Sequence, residues 1–232
     1  KPNFMMLKTS YLTYLLPFIG AIIGMASVYF LQLKKSIAFK LILAFSGAFI
    51  LGITIHHLIP KVFSQNFFVA GPWVICGILF QILLEFVSQG AEHGHTHLKE
   101  NSKLPWLLLI SLGIHSFFEG LPLSGQNELL WGIFIHKIPI GMVVFILIWE
   151  TNAATVIKLF SLLFFAIMSP LGSISNDYFT LNYKWQLQII SIIIGMLLHI
   201  STTILFESNQ DHSFNMRKLL TIIFAFTLSY FL

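Results

Sequence analysis

Apolar residues dominate this chain in long uninterrupted runs, broken by short polar segments. A helix needs about 20 residues to cross the hydrocarbon core of a bilayer. Eight runs approach or meet that length, and they predict helices over 9–31, 37–59, 67–89, 104–123, 129–149, 153–172, 184–206 and 217–232. The connections are short. The longest polar one spans 90–103. The expectation is an all-α, polytopic membrane bundle of eight transmembrane helices forming a single domain over 1–232.

Composition sharpens this reading. Of 232 residues, 56% are hydrophobic and 9% charged, against about 25% charged in soluble domains. Mean hydropathy is +0.84 and the pI is near 9.2. The basic residues sit at the ends of apolar runs, as membrane flanks do, and form no cluster with interleaved aromatics, so nucleic acid is excluded as a partner. The single cysteine, Cys76, excludes disulfides within the chain and a cysteine metal site; in its apolar run it is expected to be a small buried residue. Gly20 and Gly24 are one turn apart and permit close helix approach. With the N-terminus outside, inner connections hold Lys34, Lys35, Lys40, Lys99, Lys103, Lys158, Arg217 and Lys218. Outer ones hold Lys1, Lys8, Lys61 and Lys184. This bias predicts both termini outside.

Against that background, polar residues inside the apolar runs carry the chemistry. Ionisable side chains at a bilayer midplane cost about 3 kcal/mol on insertion scales, so they mark functional sites. The fourth and fifth runs hold His115, Glu119, His136 and Lys137. His115 and Glu119 are four apart, hence stacked on one helix face. An imidazole nitrogen and a carboxylate oxygen on adjacent turns make half a site for zinc or a similar divalent ion. The short segment Ser124-Gly125-Gln126-Asn127-Glu128 is expected to make the two helices antiparallel neighbours, letting His136 supply a third ligand. Pro122 and Pro139 are expected to free the carbonyls of Phe118 and Ile135 beside that site, as in the discontinuous helices of secondary transporters. An intramembrane metal-dependent hydrolase with Glu119 as general base is the alternative from another class.

Further residues are candidates for the path. His57 follows His56 at the outer end of the second run, and His199 sits within the seventh. Glu207 lies at that run's inner end. His93, His95 and His97 alternate with small or polar residues beside Glu92, which fits loose metal contact.

The motifs His115-Ser116-Phe117-Phe118-Glu119-Gly120 and His136-Lys137-Ile138-Pro139 resemble the fourth and fifth helices of the ZIP (Zrt/Irt-like) metal transporters. Supporting segments are His57-Leu58-Ile59-Pro60, Ser169-Pro170-Leu171-Gly172-Ser173, and Gly195 to Ser201 with Phe206-Glu207. The resemblance implies eight helices with an inverted repeat, both termini outside, and an elevator-like movement of one bundle past another. It implies uptake of Zn2+, or of Fe2+, Mn2+ or Cd2+, into the cytosol, with His115, Glu119 and His136 as ligands and no catalytic residues. The 90–103 loop then faces the cytosol. The implied setting is a bacterial inner (plasma) membrane, with lipid, the metal ion and a second copy of the chain as partners.

This sequence departs from the family at two places. Ile140 stands where a carboxylate usually follows the fifth-helix histidine, and Lys61 where Glu often follows the second-helix motif. Ser116 takes the place of a polar ligand to a second ion, and Lys137 the place of an oxygen ligand to it. The ammonium is expected to neutralise Glu119 and leave a mononuclear site; the carboxylate missing at Ile140 leaves the alternative of a metal-binding relative impaired in transport.

Overall fold

The structure is a computed structural model that describes residues 4–31, 37–88, 104–179, 183–207 and 216–232; the side chains of 4–10, 65–67, 183 and 207 lie outside that description. Among the described residues it is all-helical. The helices are α1 (Phe4–Leu31), α2 (Ile37–Ile53), α3 (Ile59–Ser88), α4 (Trp106–Gly120), α5 (Asn127–Trp149), α6 (Thr155–Tyr178), α7 (Tyr183–Glu207) and α8 (Met216–Tyr230). Six segments are long and apolar enough to cross a membrane, which marks a multi-pass membrane protein. α4 and α8 have 15 residues each, roughly 22 Å of helix at 1.5 Å per residue, and fall short of that length.

The second and third predicted helices are not separated by a loop. A π-helical turn, Thr54–Leu58, joins α2 directly to α3. Pro60 lacks an N–H and crowds the preceding turn, which disfavours a regular α-helix across it. The wider turn accommodates it: the Ile59 N–H reaches back to the Thr54 carbonyl, one residue further than in an α-helix. Thr54 also donates its hydroxyl to the Ile50 carbonyl at 2.7 Å.

Two compact units share these helices. The first comprises residues 1–32 and 84–181, and so holds α1, α4, α5 and α6. The second comprises 33–83 and 182–232, with α2, most of α3, α7 and α8. In the first unit α5 packs chiefly on α1, and α4 on α6. α4 and α5 are neighbours as expected, since His136 and Lys137 of α5 reach Glu119 of α4, but they meet through side chains, and the closest backbone approaches pair α5 with α1 and α4 with α6. Glycine explains the choice. A Cβ at Gly24 would overlap the Ile138 carbonyl, and one at Gly172 would overlap the Phe117 carbonyl. Backbones can come this close only where side chains are missing. In the second unit α2 packs on α7 and α8, around a core that includes Leu43, Ile200 and Ile204.

Outer helix faces are apolar, as lipid contact requires. Phe68, Phe86 and Val156 are among the most exposed large hydrophobic residues. Cys76 corrects its expectation, since it is exposed on α3.

Candidate metal centre

The centre lies within the first unit. α4 stops at Gly120 because Pro122 has no N–H to offer the Phe118 carbonyl. That carbonyl is not left free as expected: Leu121 N–H tightens onto it at 3.2 Å. Glu119 consequently sits in the last turn of a helix that ends inside the protein, followed by buried Pro122 and Leu123. Pro139 behaves differently, because α5 runs through it without a break.

His115 and Glu119 share one face of α4, one turn apart. His115 Nε2 lies 2.8 Å from Glu119 Oε1, and His136 Nε2, from α5, lies 3.5 Å from the same oxygen. The three ligand atoms fall within 4.8 Å of one another. Zinc bonds of about 2.1 Å place two tetrahedral ligands roughly 3.4 Å apart, so these separations suit one small divalent ion. Oε1 of Glu119 is buried and, despite both nearby rings, accepts no hydrogen bond in good geometry. The imidazole planes stand at 75° to each other, 6.4 Å between centroids. Glu119 and His136 are fully buried, and His115 nearly so.

The second oxygen of Glu119 is committed elsewhere. Lys137 Nζ donates to Oε2 at 2.6 Å and to Ser116 Oγ at 2.8 Å. The ammonium lies 5.2 Å from the centre of the Phe165 ring, a cation–π placement. Ser169 on α6 donates to the Ser116 carbonyl at 2.9 Å, pinning that turn of α4. The carboxylate and ammonium cancel as charges, and a cation near the carbonyl end of α4 is favourable against the helix dipole. Phe165 and Ser169 escaped sequence reading as supports for Lys137 and Ser116. They are distant in sequence, and the available hint was their spacing of four on the buried face of α6.

The remaining sequence candidates are distributed otherwise. His57 and His199 belong to the second unit. His57 Nε2 lies 3.0 Å from the Ser229 carbonyl, while neighbouring His56 stacks edge-on against Tyr230. His199 is half-buried on α7, and its carbonyl accepts the hydroxyls of Thr202 and Thr203. His93, His95, His97 and the side chain of Glu207 lie outside the described residues. Ile140 is buried and has no ligand atom to give.

No protein-family model matches the sequence. Among curated proteins, the chain is similar to Protein zntD of Dictyostelium discoideum, at 37% identity over 105 residues. That match covers 37% of this chain and 15% of the length of zntD.

Proposed function

We propose that the protein is a ZIP-type carrier that moves zinc, or a related divalent ion, across a membrane through a site made by His115, Glu119 and His136. The observation that supports this most is the convergence of three buried ligand atoms within 4.8 Å on apolar helices. Two imidazoles and one carboxylate are a donor set that zinc accepts, with a position open for water or for exchange. A carrier also needs binding weak enough to permit release, and three ligands serve that better than a closed four-ligand site. The short similarity to Protein zntD is in line with this reading.

In the proposed cycle the ion exchanges water for Glu119 Oε1 and the two Nε2 atoms, then leaves to the cytosol. Eight spans with both termini outside, and movement of one unit as a carrier, complete the proposal. The two compact units are suited to such movement. The test is radiolabelled zinc uptake into proteoliposomes holding the purified protein. Saturable uptake, lost in His115→Ala, is the expected result. Zinc binding without flux in the wild type would reject transport, and wild-type uptake in His115→Ala would reject the site.

A further inference from the structure

We infer that Lys137 sets the affinity of this centre: its ammonium is a tethered cation that competes with the transported ion for Glu119 and keeps metal binding weak and reversible. The inference rests on the transport-site reading above and adds a role for a residue that is not itself a ligand.

A cation-binding site gains nothing in affinity from a fixed cation on its only carboxylate. Yet Lys137 Nζ holds Glu119 Oε2 at 2.6 Å, while the opposite oxygen faces both histidines. An ion bound through Oε1 therefore meets a carboxylate whose charge is already neutralised. It also meets direct repulsion from an ammonium one carboxylate away, in a buried setting where screening is weak. Packing gives no better account of this lysine. Buried ion pairs are often matched or exceeded in stability by apolar residues of similar volume. The arrangement does serve a carrier that must exist both loaded and empty. Without an ion, a lone carboxylate in hydrocarbon is costly, and Lys137 with Ser116 removes that cost. With an ion, the same ammonium makes release easier. Phe165 and the Ser169–Ser116 contact hold the ammonium on its side of Glu119, which restricts the centre to one divalent ion.

The experiment is equilibrium dialysis of radiolabelled zinc against the purified full chain in detergent. Wild type is compared with Lys137→Gln, with the double variant Ser116→Ala/Lys137→Met, and with Lys137→Arg. The double variant removes donor and acceptor together, which leaves no orphaned hydroxyl. Expected results are weak binding in the wild type with one ion at the centre, and binding at least about tenfold tighter in Lys137→Gln and the double variant, as loss of a unit charge near a divalent ion implies. Lys137→Arg keeps the charge, though in a larger planar head, and is expected to bind no more tightly than the wild type. The tight variants turn over more slowly in proteoliposomes. A merely structural lysine predicts the opposite sign, since damage to the site weakens binding. Unchanged or weaker binding in monodisperse charge-removal variants overturns the inference, as do two adjacent core ions in the wild type. Should neither variant be monodisperse, the wild type decides: nanomolar affinity overturns the inference and micromolar or weaker affinity upholds it. Binding that is insensitive to His115→Ala sinks the transport-site reading instead.

Discussion

Both units of the molecule carry histidines on apolar helices, and they use them in different ways. In the first unit His115 and His136 are buried and approach one carboxylate oxygen. In the second, His57 lies against a backbone carbonyl, His56 stacks on an aromatic ring, and His199 is half-buried. The difference is the carboxylate. Glu119 gives two imidazoles a common partner and an oxygen for a metal, whereas among the described residues the histidines of the second unit join no group of three such ligand side chains. A histidine in a membrane helix is thus weak evidence for a metal site until an acidic side chain shares its face. The comparison also separates two uses of proline. Pro122 ends α4 just after Glu119, while Pro60 follows a π-turn that keeps the chain helical.

The strongest way to break this contrast is to remove the carboxylate. Glu119→Ala takes away the metal oxygen and leaves Lys137 buried with only Ser116, so flux is expected to vanish. Loss of one partner of a buried ion pair costs about 3–5 kcal/mol, so the variant should also unfold at markedly lower temperature, read by tryptophan fluorescence. His115→Ala is expected to abolish flux with a much smaller change in melting, because it leaves the Glu119–Lys137 pair intact. Flux at the wild-type rate in either variant would end the proposed role of the centre. Next in size is Gly24→Ala. Its Cβ would press into the Ile138 carbonyl, a backbone atom that cannot rotate away. Overpacking of this kind costs about 1–3 kcal/mol, which should appear as lower melting with zinc affinity retained. An unchanged melting temperature would show that α1 and α5 are free to separate there.

Much of this was legible from sequence because lipid imposes simple rules. Long apolar runs located the described helices, and the stacking of His115 on Glu119 follows from a spacing of four. The pairing of Lys137 with Glu119 follows from the scarcity of carboxylates near it. Other features depend on contacts that no local rule encodes. The short connection after α4 suggested that α4 and α5 are neighbours, but it did not show that the closest backbone approaches, which require facing glycines, pair α1 with α5 and α4 with α6. The second run was bounded at residue 59, before Pro60, yet a π-turn carries the helix past it. The expected length of α4 was too great because hydropathy does not register where a hydrogen-bond ladder ends. Phe165 beneath the ammonium was invisible for a similar reason, as an aromatic residue in an apolar run has no signature of its partner.

A smaller effect tests the second unit. His57→Ala removes a contact to one backbone carbonyl and no ligand from the centre, and His199→Ala likewise spares it. Both are expected to keep uptake within about threefold of wild type, since a single neutral hydrogen bond contributes roughly 1 kcal/mol. A loss as complete as that of His115→Ala would place these histidines on the ion's path and erase the contrast between the units.

The smallest effect is expected from the histidines of the polar connection. His93, His95 and His97 alternate with Gly94 and Thr96 beside Glu92, outside every apolar run, so the sequence assigns them to water and not to hydrocarbon. Replacing all three with alanine should leave the maximal uptake rate unchanged. If they receive ions on the cytosolic side, the change should appear in hand-off to a chelator on that side, seen as slower chelator loading at low zinc. The measurement is uptake at saturating and at limiting zinc, with a fluorescent chelator trapped on the receiving side. Complete loss of uptake with normal expression would move the essential ligands out of the membrane core and into this connection.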